Sequence, residues 1–300
     1  MRFLTVLLFS LIFFPSAAVP QTNDPIILNL TVTSKKGKIV RGLTLENFSI
    51  TVDKQPLKIL SLNEREVPAS VGILIDTSGS QDVRGAVEIK QQFKQGLEGF
   101  FKLSNPANEY FALAFNSKAE LIQDWTSDSQ SILAKVDSLT FRKSTALYDA
   151  MSLSLQKMKT SRNSKHVLVL ISDGADNQSK ASFKKVRDAL KGSDVILYCV
   201  GLQNVVGIGD AVSLNLEGEG ILSELAALSG GRVLFMNNSQ GPKAFNEVFE
   251  LIALELRSQY QVAIAPEPSS GNTKWRKLKV TASKAGIEEL MARTRQGYYR

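Results

Sequence analysis

The amino-acid sequence predicts an α/β protein. It predicts a doubly wound, mostly parallel sheet with helices on both faces, inserted in a small discontinuous antiparallel β domain. The uncharged apolar runs Val71–Ile75 and His166–Ser172 predict the parallel sheet, because such runs are typical of strands buried on both faces. Amphipathic helical patterns alternate with these strands. The β domain is predicted because apolar and polar residues alternate at both ends of the chain.

Strand and helix patterns alternate from residue 71 to residue 256. Predicted strands are Val71–Ile75, Tyr110–Phe115, Glu120–Trp125, His166–Ser172, Val195–Val200 and Val233–Met236, the second and third forming an edge hairpin. Predicted helices are 83–102, Ser131–Leu139, Leu147–Met158, Phe183–Leu190, Leu222–Leu228 and Phe245–Leu256. Repeated units of this kind favour a doubly wound sheet.

The segment Gln203–Gly220 interrupts this alternation. It is long and rich in glycine, which predicts a flexible surface loop. Its Gly207–Asp210 stretch has two glycines, but the spacing matches neither of the known phosphate-binding glycine motifs.

The terminal segments predict short, half-buried strands. Before the first apolar run these are Ile27–Thr33, Phe48–Val52 and Leu57–Leu62, and near the other end they are Gln259–Ala265 and Lys277–Ala282. Neither set is long enough to bury a sheet alone, so we expect them to complete one core together. The predicted domains are a signal peptide over 1–18, a discontinuous β domain over 19–67 plus 259–300, and an α/β domain over 68–258.

The N-terminus has the pattern of a cleavable secretory signal. Met1-Arg2 is followed by the apolar run Phe3–Phe14 and by small residues up to Ala18. About 12 apolar residues are too few to cross a bilayer, which needs roughly 20. We therefore expect a secreted or periplasmic protein whose mature chain contains no transmembrane helix.

The net charge of +7 is concentrated near the C-terminus. Residues 272–300 contain eight lysines and arginines against Glu288 and Glu289, so the rest of the mature chain is nearly neutral. This distribution argues against nucleic acid as a partner. Two interpretations of the basic segment stay open: the solvated face of a strand, or weak contact with an anionic surface.

Three oxygen-bearing side chains follow the first apolar strand. Asp76, Ser78 and Ser80 lie on one short loop, at the carboxyl end of a strand predicted to be buried. In open α/β sheets, ligands usually bind at this edge. Carboxylate and hydroxyl oxygens suit a small hard cation such as Mg²⁺.

Two further segments supply residues of the same kind. Thr145 precedes a helical pattern, and Asp173 follows the strand His166–Ser172 directly. Together with the first loop, these segments form an ordered three-part pattern. The pattern resembles the metal-ion-dependent adhesion site of von Willebrand factor type A domains, and the resemblance covers about residues 70–258.

This resemblance implies a role for each residue. Ser78 and Ser80 would bind the metal directly, Thr145 directly or through one water, and Asp76 and Asp173 mostly through water. The expected metal is Mg²⁺, with Mn²⁺ or Ca²⁺ as alternatives. In that family, one coordination position takes an Asp or Glu carboxylate from a partner protein. This chain departs from the pattern at Gln81 and Asp82, where a small or apolar residue is frequent.

The C-terminus resembles a bacterial secreted subgroup of the same family. Arg295 and the sequence Gly297-Tyr298-Tyr299 match a recurring ending of that subgroup. The resemblance implies an overall architecture and does not indicate an activity.

Residue chemistry argues against an enzyme. A serine nucleophile usually needs a neighbouring histidine, and His166 is the chain's one histidine. It begins a strand that ends near the site, which separates it from Ser78 by roughly 20 Å. We therefore expect a non-enzymatic, metal-dependent binding protein of the adhesion type. The alternative is a scaffold subunit of an envelope complex with a vestigial metal site, and a hydrolase is the least favoured.

Overall fold

A computed structural model describes residues 24–79, 83–142, 144–203, 210–237, 241–266, 273–287 and 289–300. The predicted signal peptide and the predicted metal ligand Ser80 lie outside the described residues. Within these ranges, no helix has the length and apolar character required to cross a membrane.

The described residues form fourteen strands and six α-helices. The strands are β1 (Ile26–Ser34), β2 (Phe48–Val52), β3 (Gln55–Pro56), β4 (Ile59–Asn63), β5 (Ala69–Asp76), β6 (Glu109–Phe115), β7 (Ala119–Thr126), β8 (Lys165–Ser172), β9 (Ile196–Gln203), β10 (Val233–Asn237), β11 (Tyr260–Ile264), β12 (Trp275–Ala282), β13 (Leu290–Arg293) and β14 (Gly297–Tyr299). The helices are α1 (Val83–Leu103), α2 (Ser129–Asp137), α3 (Leu147–Met158), α4 (Phe183–Lys191), α5 (Asp210–Ser229) and α6 (Gly241–Arg257).

The central sheet has six strands in the order β10-β9-β8-β5-β6-β7. All neighbouring pairs are parallel except β6 and β7, which form the predicted antiparallel edge hairpin. Every residue of β5 is buried, as an apolar run in mid-sheet requires. Because β5 and β8 are parallel neighbours, the residues that follow them meet at one edge of the sheet.

Helices cover both faces of this sheet, which confirms the predicted fold class. On one face, Ile73 of β5 shares an apolar core with Phe93 of α1 and Phe249 of α6. On the other face, Leu74 of β5 shares a second core with Met151 of α3. Helices α4 and α5 contribute to that second core through Val186 and Leu222.

Strands from both ends of the chain form two antiparallel four-stranded sheets. Their orders are β13-β1-β11-β4 and β14-β12-β2-β3, so each sheet combines strands that precede and follow the α/β part. They share one apolar core, which includes Leu30, Ile50 and Tyr260. The residue boundaries given above for the domains remain predictions.

A buried carboxylate joins these sheets to the α/β part. Glu255 of α6 has a side chain with no exposed surface, and its Oε1 lies 2.8 Å from Arg232 Nη2 just before β10. Its Oε2 accepts a 2.7 Å hydrogen bond from Arg293 Nη2 at the end of β13. The backbone of Gln296 also donates to the Leu228 carbonyl at the end of α5. The Glu255 side chain therefore links α6 to the residue before β10 and to the end of β13.

The predicted loop Gln203–Gly220 is wrong for residues 210–220, because α5 begins at Asp210. The Gly207–Asp210 stretch lies mostly outside the described residues. Glycine disfavours helix, so local propensity pointed away from α5. Tertiary packing explains Gly218, where a Cβ atom would come within 2.3 Å of the Asp173 carbonyl oxygen. This glycine allows the helix to approach the end of β8 closely.

We expect Gly231→Ala to destabilise the protein. A Cβ atom at Gly231 would lie 1.9 Å from the backbone oxygen of Leu197, which cannot move aside without distorting β9. Overpacking of this kind costs about 1–3 kcal/mol or more. The measurement is the free energy of unfolding in urea. Gly220→Ala is the matched control, because α5 has open space there and alanine favours helix by about 1 kcal/mol. Equal stability of the two variants would contradict the packing argument.

Candidate metal centre

Asp76 is held at the end of β5 by the neighbouring strand. It is 5% exposed, and the next residue anchors the loop to β6. The backbone N–H and the hydroxyl of Thr77 both donate to the Phe115 carbonyl, at 2.8 and 3.0 Å. Asn116 Nδ2 donates in turn to the Thr77 hydroxyl at 3.1 Å. The strand end is therefore fixed before the loop leaves the sheet.

Both oxygens of Asp76 accept hydrogen bonds. Oδ1 accepts from the backbone N–H of Ser78 at 2.8 Å, and Oδ2 accepts from the Ser172 hydroxyl at 2.6 Å. The Ser172 oxygen accepts a 3.0 Å bond from the Gly174 N–H. This network locks the carboxylate orientation and ties the carboxyl ends of β5 and β8 together.

Ser78 lies in the turn that follows Asp76. It is half-buried, and its backbone forms a parallel bridge with Arg142, whose N–H donates to the Thr77 carbonyl at 2.9 Å. Gly79 has a φ of +101°, a conformation that glycine adopts without strain. The turn directs the chain away from the sheet at this point.

Asp173 follows β8 and lies in a second tight turn. It is half-buried, and its Oδ1 accepts from the Ala175 N–H at 3.0 Å. Gly174 has a φ of +85°, and a Cβ atom there would lie 2.3 Å from the Gly218 carbonyl oxygen. Helix α5 therefore packs against the turn and leaves room only for glycine.

Thr145 is anchored to the loop that follows Asp173. It is 3% exposed, and its N–H donates to Asn177 Oδ1 at 2.9 Å. Its carbonyl accepts from the N–H groups of Asn177 and Gln178, each at 3.0 Å. The segment before α3 and the loop after β8 are thus joined by three hydrogen bonds.

Asp176 stabilises the start of α3. Its Oδ2 accepts from the Tyr148 N–H at 3.0 Å and from the Ser179 hydroxyl. A carboxylate is favoured at a helix N-terminus because the N–H groups there lack partners within the helix. Ser179 accepts the next N–H, that of Asp149, at 3.0 Å. The sequence left the role of Asp176 and Asn177 open, and the structure shows both positioning the segment that carries Thr145.

Burial raises the pKa of Asp76 to about 7, and the nearby negative charge of Asp173 adds to this effect. Hydrogen bonds from Ser172 and Ser78 oppose the shift, because they stabilise the ionised carboxylate. A bound cation would favour the ionised form of both carboxylates. The raised pKa therefore marks a position where the metal-free protein disfavours the ionised carboxylate.

The residues present fit a hard divalent cation. The predicted metal-ligating atoms at this edge are carboxylate and hydroxyl oxygens, which suit Mg²⁺. Within the described ranges, no group of three or more His, Cys, Asp and Glu side chains is placed to hold a metal. A site here thus depends on serine and threonine hydroxyls as well as on Asp76 and Asp173.

The structure brings some of the predicted residues together directly. Asp76, Ser78 and Asp173 lie at one edge, and Thr145 is tied to the same loop system through Asn177. The sequence analysis missed the contribution of Ser172, which donates to Asp76. The signal for it was a single polar residue that ends an otherwise apolar strand, directly before Asp173.

His166 lies away from this edge. It is near the start of β8, whereas Asp173 follows the end of the same strand. Its Nδ1 is 2.7 Å from Asp194 Oδ1, and this contact raises the pKa of His166. The contact assigns His166 to a local ion pair at the opposite end of β8.

Comparison with known proteins identifies a family over the α/β part. Residues 70–236 match the family model of the von Willebrand factor type A domain. No curated protein sequence matches the chain. Among solved structures, the vWF domain of the type V pili tip protein Mfa5 from Porphyromonas gingivalis has a TM-score of 0.50 and 11% identity. That match covers 69% of this chain and 99% of that domain.

The PilB minor pilin from Streptococcus sanguinis is similar at the same level. Its TM-score is 0.50 and its identity 11%, and the match covers 65% of this chain and 63% of the pilin. This chain therefore spans less than two thirds of the length of PilB. At these identities, both comparisons show a shared fold.

We expect the stability of the metal-free protein to fall as pH rises above the ordinary Asp pKa of 3.8 and towards about 7. Across this window, folded Asp76 keeps a proton that the unfolded chain has lost. The contribution of Asp76 is up to about 4 kcal/mol. The measurement is the free energy of unfolding in EDTA as a function of pH.

Variants separate Asp76 from other groups that titrate in this window. Asp76→Asn should flatten the pH dependence, and Asp173→Asn should move the transition to lower pH because one repulsive charge is removed. An unchanged profile in Asp76→Asn would contradict the assignment.

Proposed function

The chain belongs to the von Willebrand factor type A family, and we propose that it is a non-enzymatic, adhesion-type protein that captures a partner's carboxylate through a Mg²⁺ site. The observation that carries this proposal is the buried Asp76 carboxylate at the carboxyl edge of the sheet, which is close enough to Asp173 to feel its charge and accepts hydrogen bonds from Ser172 and Ser78. Two adjacent carboxylates at such an edge favour a cation.

Five residues would hold the metal. We propose Ser78, Ser80 and Thr145 as direct or nearly direct ligands, with Asp76 and Asp173 acting mostly through water. When bound, the ion supplies positive charge that attracts an acidic side chain of the partner. Ser172 and the Ser78 backbone orient Asp76, and Asn177 holds Thr145 in place. The described hydrogen bonds therefore hold Asp76 and the Thr145 backbone in place without a metal.

The loop that pairs with Ser78 carries one basic residue. Arg142 is exposed, and its backbone pairs with that of Ser78. Basic residues around a binding site raise the association rate of acidic ligands. The loops around the site would then select among carboxylates by shape and charge.

The position of His166 supports a binding role over catalysis. His166 pairs with Asp194 at the far end of β8, which leaves the serines of the site without a neighbouring histidine base.

We further propose that the protein is exported, because residues 1–18 have the pattern of a secretory signal. Capture of an external partner is consistent with that location.

Titration calorimetry with Mg²⁺ and Mn²⁺ tests the metal site. We expect saturable heat for the wild type and none for Asp76→Asn or for Asp173→Asn, since each loses a charge that the cation requires. Asp137→Asn is the control, because it removes an exposed carboxylate from α2. If the wild type binds neither ion, metal-dependent capture is wrong, and a scaffold role with a vestigial site becomes the leading alternative.

Water-proton relaxation of the Mn²⁺-loaded protein tests carboxylate capture separately. A carboxylate that takes a coordination position displaces water from Mn²⁺, so N-acetylglutamate amide should reduce the relaxation enhancement. N-acetylglutamine amide, which is similar in shape but uncharged, should leave it unchanged. Equal responses to both probes would show that the metal does not discriminate carboxylates, which contradicts the proposed mechanism.

A further inference from the structure

A groove lies between β10 and the two terminal sheets. Its volume is about 470 Å³, and its apolar walls include Val233 and Phe235 of β10, Leu278 and Val280 of β12, and Ala292 of β13. We call it the edge groove. It is separate from the proposed metal centre, because β9 and β8 lie between β10 and β5 in the central sheet.

One wall of the edge groove is an unpartnered strand edge. β10 is the last strand of the central sheet, and the Arg232 carbonyl before it accepts from Cys199 of β9 at 2.9 Å. Because hydrogen-bonding direction alternates along a strand, Val233 and Phe235 direct their N–H and C=O groups away from β9. In the described ranges, no strand pairs with this side of β10. Such an edge can accept an additional strand.

Among the residues that the structure describes, every charged residue that lines the edge groove is basic. These residues are Arg232, Lys279, Arg293 and Arg295. Glu255 lies between Arg232 and Arg293, and the charge of Asp194 acts on Arg295, so two carboxylates face four cations. Lys279 is exposed. The groove therefore keeps a positive balance.

The arginines also retain unmet hydrogen-bonding capacity. Arg293 Nη1 and Arg295 Nε are buried and have no hydrogen-bond partner among the described residues. Buried donors of this kind normally have an acceptor, so both arginines keep hydrogen-bonding capacity that the described residues do not use. Three basic side chains of the C-terminal segment, those of Lys279, Arg293 and Arg295, line this one groove.

We propose that the edge groove binds an extended, acidic segment of a partner protein. The segment adds to β10 as a further strand, and its apolar side chains contact Phe235, Val280 and Ala292. Its acidic side chains face Lys279, Arg293 and Arg295. Main-chain hydrogen bonds supply affinity in this mode of recognition, and side-chain contacts supply specificity.

Fluorescence anisotropy of the purified protein with a labelled peptide tests this proposal. The probe is a peptide in which glutamate alternates with valine, and EDTA is present so that the metal centre cannot contribute. We expect saturable binding of this peptide and none of the peptide with lysine in place of glutamate. Two further versions of the acidic peptide are N-methylated at alternate backbone amides, one at the odd and one at the even positions. We expect one of them not to bind, because its methyl groups replace the N–H groups that pair with β10.

Charge reversal locates the binding site. Lys279→Glu should raise the Kd of the acidic peptide about fivefold, because an attractive charge becomes repulsive. Lys58→Glu is the matched control. Lys58 is exposed and precedes β4, which lies at the opposite edge of the sheet β13-β1-β11-β4 from the groove-lining strand β13.

Four outcomes would overturn the proposal. They are absence of acidic-peptide binding, equal binding of the lysine peptide, full binding of both methylated peptides, and equal effects of Lys279→Glu and Lys58→Glu. If phosphatidylglycerol vesicles bind the wild type and not Lys279→Glu, while the peptide does not bind, the basic residues contact a lipid surface instead.

Discussion

The candidate metal centre depends on repulsion between two carboxylates that the fold forces together. Asp76 ends β5 and Asp173 follows β8, and these strands are parallel neighbours, so their carboxyl ends share one edge. The burial of Asp76 raises its pKa to about 7, and the repulsion from Asp173 adds to this effect. Packing maintains this unfavourable arrangement, because both strands are buried between two layers of helices. Such local electrostatic cost is typical of functional sites.

The loops around Asp76 are fixed mainly by hydrogen bonds to backbone groups. Thr77 is anchored to Phe115, and Thr145 is anchored to Asn177 and Gln178. Asp176 fixes the start of α3. Asn177 and Asp176, which are not proposed metal ligands, therefore position the segment that carries Thr145, while Asp76 and Asp173 also accept hydrogen bonds within their own loops. Loops fixed in this way reduce the conformational entropy that binding would cost.

Much of the α/β part could be predicted because its signals are local. The apolar run of β5 and the order of Asp76, Thr145 and Asp173 along the chain are visible without a structure. Helix α5 was missed over residues 210–220 because glycine disfavours helix, and Gly218 is there for close packing against Asp173 and Gly174. The pairing of Glu255 with Arg232 and Arg293 could not be predicted from the sequence either, since it joins residues that are distant along the chain. In both cases the structure depends on tertiary contacts, and in α5 these contacts outweigh the low helix propensity of glycine.

Each of the two proposed binding sites concentrates charge of one sign, negative at the metal centre and positive at the edge groove. At the metal centre, packing holds carboxylates close together, and a cation relieves their repulsion. At the edge groove, Arg232, Arg293 and Arg295 are held close by β10 and β13, and Glu255 offsets only part of their charge. An acidic strand would relieve the remainder. In both proposals the ligand is a carboxylate of a partner, but the first would require a metal and the second a free strand edge. A chelator therefore separates them cleanly, and one partner with two acidic segments could engage both.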